Sequence, residues 1–234
     1  MEEVVAFLST YFSVRSFAPD EQGGVYRAGH RPLRRLAVAL EPSARLYERL
    51  RTAPPDALWL HRPWKLDLRQ LPPDVPVLYH HLPFDETLTL GHNTPLADVL
   101  RLTEVAELGY KQAEGLPPRA IGMLGDAPRQ SLQTWQTQLT RHFGGLDSLT
   151  GDPDCPVDRI AVVGAMNEAL VREAAERGAK LYITGQWRQP ARKAVEQTGM
   201  AVAAIGHLRS EEWGLRTLAD VLHRAFPNLK IELD

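Results

Sequence analysis

Cysteine is nearly missing from this chain of 234 residues: Cys155 is the only one. A single thiol excludes an internal disulfide and any cysteine-based zinc site. A surplus of either charge is missing too, with 27 Lys and Arg against 29 Asp and Glu and a net charge of −2. That balance gives no footprint for nucleic acid. No apolar run approaches the roughly 20 residues that a membrane span needs. The opening MEEVVAFLSTYF is acidic where a secretory signal would start basic. Together these absences predict a cytoplasmic protein with no nucleic-acid or membrane partner. Any metal has to be held by His, Asp and Glu, a donor set that suits zinc, iron or manganese.

What is present is an ordinary globular composition, 44% hydrophobic and 24% charged, with length for one large domain or two small ones. Apolar spacing predicts a helix over residues 2–12. A strand follows at 36–40, then a helix opened by Glu41-Pro42-Ser43 and closed by Thr52-Ala53-Pro54-Pro55, then strands at 57–60 and 75–79. The stretch LADVLRLTEVAELG predicts a helix over 96–109 that stops at Gly109. Residues 116–158 are bounded by breakers at Pro117-Pro118 and PDCP, with a helix over 131–143 between them. Strands at 159–163, 181–184 and 201–205 then alternate with helices at 167–177, 189–198 and 211–226. That alternation predicts an α/β fold with mostly parallel sheets.

The chain also repeats itself. Residues 34–60 lie over 158–184 at an offset of 124, with Arg35 on Arg159, Ala37-Val38 on Ala161-Val162 and Leu46 on Leu170. VPVLYHHLPFD lies over AVAAIGHLRSE, placing His81-Leu82 on His207-Leu208 and Asp85 on Glu211. LADVL occurs at 96–100 and again at 218–222. Shared Val/Ala/Ile-rich strands explain the apolar matches, but not the repeated His-x-x-x-acid or the identical pentapeptide. The reading is two similar, intertwined α/β copies, over 1–120 and 121–234.

Three of the eight histidines then share a structural position. His61, His81 and His207 each stand at the carboxyl end of a predicted strand, the edge where open α/β sheets bind ligands. Asp85 and Glu211 lie just beyond two of those strands. Converging imidazoles and carboxylates are ligand chemistry for a divalent metal. Plainer readings stand beside this one. Ser210 reads as a helix N-cap with Glu211-Glu212 as an acidic first turn, Asp85 as a turn cap and His61 as a solvated loop residue. His80 faces away from His81 and reads as structural, and His92 as a surface residue. His30, His142 and His223 have no acidic partner at useful spacing. VVGAMNEAL follows a strand but lacks GxGxxG and any Walker sequence, and no GxSxG or Cys/His nucleophile pattern occurs.

Over nearly its whole length the chain resembles the Nif-three-like proteins, often labelled GTP cyclohydrolase I type 2 homologues. LAVALEPS resembles the family's first strand and turn, ALWLHRPW its strand before His-His-Pro, and YHHLPFD its His-x-x-x-Asp segment. GHNTPLADVL resembles its Gly-x-Asn helix start, LYITG its Thr-Gly strand end, and AIGHLRSEEWGLRTLADVL its Gly-His-x-x-Ser-Glu signature. The resemblance implies two α/β repeats, a homohexameric ring, and a metal centre with His61, Asp85, His207 and Glu211 as ligands and His81 nearby. It implies a metal-dependent hydrolase with an unknown small-molecule substrate, in which Asp85 or His81 serves as general base. Two positions depart from the family. Arg62 stands where it has a second histidine, and Gln186 where it has an acid after Thr-Gly. Arg62 removes a ligand from one of two metals and puts a fixed positive charge there. The number of ions is thus left open between one and two, and a non-catalytic ring in which Arg62 pairs with Asp85 is the alternative.

Overall fold

A computed structural model describes residues 1–234. The first elements are α1 (Glu2–Tyr11), β1 (Gly24–Arg27), β2 (Arg35–Ala39), α2 (Ala44–Thr52), β3 (Ala57–Leu60), β4 (Val77–Tyr79), α3 (Leu82–Leu88) and α4 (Thr94–Val99). Next come β5 (Thr103–Lys111), β6 (Arg119–Ser131), α5 (Leu132–Phe143), β7 (Ser148–Thr150), β8 (Pro156–Val163) and α6 (Glu168–Glu176). The last are β9 (Leu181–Thr184), α7 (Arg192–Thr198), β10 (Ala201–Ala204), α8 (His207–Ala225) and β11 (Lys230–Leu233). No helix is long and apolar enough to cross a membrane.

Packing divides the chain into two compact units whose bounds differ from the halves at residue 120. One takes Met1–Phe84, Ala113–Leu116 and Gly214–Asp234, the other Asp85–Gln112 and Pro117–Trp213. The first holds a five-stranded sheet in the order β1-β4-β3-β2-β11. Its strands from β4 to β11 are parallel, and β1 joins β4 antiparallel. The central strands β2, β3 and β4 are buried at nearly every position, which is why they read as unbroken apolar runs, whereas the edge strands β1 and β11 are largely exposed. One face packs Ala37, Leu58, Leu60 and Val77 against Leu46 and Leu50 of α2.

The second unit holds a six-stranded sheet in the order β5-β6-β8-β9-β10-β7. Here β8, β9 and β10 are parallel, while β5, β6 and β7 join antiparallel. Alternate residues serve two cores. Ile160, Val162, Leu181 and Ile183 face Trp135, Leu139 and Phe143 of α5. Ala161, Val163, Tyr182 and Val202 face Leu170 and Val171 of α6 and Ala194 of α7.

The repeat is visible in the strand order. β2-β3-β4 and β8-β9-β10 are each three successive parallel strands, and each set has a short antiparallel strand, β1 or β7, on its third member. The caps repeat as well. Ser43 accepts a bond from the Leu46 N–H at the start of α2, and Asn167, 124 positions on, does the same for Leu170 at the start of α6.

Two predicted boundaries need correction. The helix expected over 96–109 ends near Leu100. Arg101 is left-handed at φ 56°, and the Leu102 N–H reaches back to the Ala97 carbonyl, a Schellman-type stop. Thr103–Lys111 then forms β5 instead, where β-branched Thr103 and Val105 suit a strand. The helix expected from Glu211 starts at His207. Ser210 is therefore no N-cap: it lies buried in the first turn, and its hydroxyl donates to the His207 carbonyl at 2.7 Å. The LADVL pentapeptides also differ in setting. The second lies inside α8, whereas the first begins a fresh helix, capped by Asn93 after a break at Gly91. A Cβ at Gly91 would stand 1.9 Å from the Glu86 carbonyl oxygen, so only glycine fits.

Candidate metal centre

The carboxyl ends of β3 and β4 carry the polar residues of the first unit. β3 is buried at all four positions, and the next residue, His61, is itself fully buried, its N–H bonded to the Ala39 carbonyl. Its side chain has a defined tautomer. Nδ1 lies 3.1 Å from the His80 carbonyl, which can only accept. Nδ1 therefore carries the proton, and the Nε2 lone pair is left for another partner. A ligating histidine is normally held by this kind of carbonyl bond. The His61 ring also packs on Phe84 at 4.7 Å and on His81 at 4.9 Å between centroids.

His81 follows β4 and precedes α3, and Asp85 sits in the first turn of α3. One potential ligand atom from each of His61, His81 and Asp85 lies within 4.8 Å of the other two. Two imidazoles and a carboxylate this close are a fitting donor set for a divalent ion. Arg62 borders the group. Its Nε donates to Glu41 Oε1 at 2.6 Å, and its Nη1 is 3.2 Å from His61 Nε2. With Nδ1 of His61 protonated, this contact is a guanidinium N–H donating to the Nε2 lone pair of the ring.

His80 has a different environment. It is buried, with its ring 4.9 Å from that of Phe12, and its Nδ1 accepts from the Trp59 indole N–H at 3.1 Å. Burial pushes its pKa down to about 4, so the ring is neutral near pH 7. His92 is half-buried and outside the group.

In the second unit, His207 opens α8 directly after Gly206, whose φ of +100° is a backbone conformation that residues with side chains rarely adopt. His207 Nε2 lies 2.9 Å from Glu211 Oε1, one helical turn on. The two differ sharply in exposure, 68% for the imidazole and 1% for the carboxylate. Gly185 follows β9 in the place that His61 holds after β3.

The family model for Duf34/NIF3 (NGG1p interacting factor 3) matches residues 69–234. The chain belongs to this family. Among its curated relatives are two proteins named GTP cyclohydrolase 1 type 2 homolog. That of Deinococcus radiodurans is 23% identical over 232 residues, covering 93% of this chain and 86% of its own. That of Pyrococcus abyssi is 24% identical over 253 residues, covering 100% and 97%. Solved structures share the NIF3 fold. A protein from Thermus thermophilus superposes with a TM-score of 0.73 at 21% identity over 99% of this chain and 96% of its own. A Bacillus cereus protein related to NIF3 superposes with a TM-score of 0.72 at 12% identity over 100% and 96%.

Within this NIF3-family chain, the expected site residues fall into two groups. His61, His81 and Asp85 come together at the β3 and β4 ends, and His207 and Glu211 pair on α8. His81 was expected beside the metals, and the structure includes it among the possible ligands. Two features were not anticipated from the sequence. One is the His80 carbonyl that sets the His61 tautomer, a backbone group with no sequence signal. The other is Glu41, which holds Arg62 across 21 positions of chain. Its placement two residues after β2 was the only cue.

Proposed function

We propose that this protein binds a divalent metal ion through His61, His81 and Asp85 and works as a metal-dependent hydrolase on a small molecule. The observation that carries this reading is the convergence of those three side chains, with the His61 tautomer already set for ligation. The ion, when bound, supplies a water with a pKa lowered toward 7. The chain's own contribution is to hold Nε2 of His61 unprotonated and to fix its ring against Phe84. Asp85 or His81, whichever leaves the ion's coordination, is the proton acceptor within reach. His207 and Glu211 are the second unit's candidate ligands, with the buried Glu211 carboxylate held beside an imidazole. Cytoplasmic location and assembly into a homohexameric ring belong to the same reading, and light scattering of the purified protein tests the latter.

A second reading is favoured by the contact between Arg62 and His61. There the guanidinium, anchored by Glu41, takes the place of a cation and the protein is a non-catalytic ring-forming scaffold. Metal analysis of protein purified without added metal separates the two. The hydrolase reading expects about one equivalent of metal per chain, lost in His61→Ala and Asp85→Ala. No uptake after incubation with zinc, manganese or iron overturns it. The scaffold reading expects no uptake by the natural chain and a gain of binding in Arg62→His.

A further inference from the structure

A cavity of about 300 Å³ lies wholly within the second unit, and no candidate metal ligand lines it. Its walls come from three elements: Val99, Leu100 and Arg101 at the end of α4, Pro128 and Gln130 of β6, and Gln138, Arg141 and His142 of α5. That volume lies at the lower end of the range for small-molecule sites.

The lining is one-sided in its chemistry. It holds two arginines, a histidine and two glutamines, and no Asp or Glu. Neither arginine pairs with a carboxylate elsewhere in the molecule, whereas most other arginines of this unit do. Gln138 Nε2 donates to Gln130 Oε1 at 3.0 Å, which fixes the Gln130 amide. Gln130 Nε2 is then buried with no acceptor. A buried amide donor without a partner is costly, and native structures seldom keep one without a reason. β6 slips register against β8 between Asp126 and Gln130, so the strand irregularity sits where Gln130 enters the lining.

Arg141 and His142 also suit the last turn of α5, where positive charge complements the helix dipole. That accounts for neither Arg101, which projects from another element, nor the orphaned donor of Gln130. We infer that this cavity is a binding site for a small organic anion, with Arg101 and Arg141 taking a phosphoryl or carboxylate group and Gln130 Nε2 completing the donor set. Guanidinium forks match both groups in geometry and charge. Val99, Leu100 and Pro128 offer the apolar wall for the remainder of the ligand.

The inference stands apart from the metal reading, and the test keeps them separate by working in buffer containing EDTA. Glycerol 3-phosphate, succinate and neutral glycerol are titrated into the full chain by calorimetry. Binding of glycerol 3-phosphate or succinate, but not glycerol, is expected, and the better of the two identifies the anionic group. Arg101→Gln and Arg141→Gln, both at exposed positions, should each weaken binding roughly 10- to 100-fold. Gln130→Glu keeps the shape and the bond from Gln138 but turns the donor into a negative charge, and should abolish binding. Unchanged melting temperatures in the three variants would show that folding is not what is lost. Absence of binding by both anions, or binding indifferent to all three substitutions, overturns the inference.

Discussion

The two copies of the repeat share a framework and differ at its edge. β2-β3-β4 and β8-β9-β10 have the same order, the same direction, the same antiparallel neighbour and the same capped first helix. At the carboxyl ends they part. The first copy presents His61, His81 and Asp85, with Arg62 against the group. The second has Gly185 where His61 would be, and keeps only the His207–Glu211 pair. Core positions that must pack both faces of a strand allow little variation, while a residue just past the last ladder bond is free to change. Chemistry in this fold is therefore written at strand ends, and duplication of the sheet does not duplicate the site.

The largest test of that comparison concerns the cores behind the two edges. Trp59 and Ile183 occupy matching positions 124 residues apart, and both are fully buried. Trp59→Ala should destabilise the protein by about 3–5 kcal/mol, more than the matching Ile183→Ala, since it also removes the indole bond to His80. Urea denaturation measures both, and equal costs would dissolve the asymmetry.

The next effect is a pH dependence confined to the first copy. His80 has a folded pKa of about 4 against an ordinary value of 6.5. Between those values the unfolded chain takes up a proton that the folded chain refuses, so stability falls as pH drops from 6.5 to 4. The loss approaches roughly 3 kcal/mol. Its counterpart in the second copy is Gly206, which cannot titrate. His80→Leu should flatten the stability profile in this window, and a profile as steep as before would exclude His80 as the cause.

The smallest effect is the one expected to be equal. Ser43→Ala and Asn167→Ala each remove one side-chain cap and should each cost about 1 kcal/mol. Thermal melts that separate the two by much more would mean that the shared framework is less symmetric than its geometry.

The parallel strands β2, β3, β4, β8, β9 and β10 were legible in the sequence because burial on two faces leaves continuous apolar runs, whereas the edge strands β1, β5, β7 and β11 and the long β6 were not. β3 and β9 fall on the residues expected. The helix read through 96–109 failed for a local reason. Its apolar spacing stays helical through Leu108, and the chain stops it with a left-handed Arg101, a conformation seldom taken by a non-glycine residue. Ser210 misled because a serine before two acids imitates a cap while the helix has already begun. His61, His81 and Asp85 could be singled out from their places after strands. Which atom donates to which, and the hold of Glu41 on Arg62, depend on loop geometry that no periodicity encodes.

β11 carries a consequence of another kind. It lies beside β2, where Glu232 meets Arg35 across 197 positions of sequence. On the ribosome, β2 is made early and waits for almost all of the rest of the chain before its second neighbour exists. During that interval one side of β2 exposes open backbone groups to any other strand. The second unit has no such wait, since its strands are all synthesised between residues 103 and 204. Closure of the first sheet should therefore be the late, slow event in folding, and the stage at which a nascent chain is most in need of a chaperone.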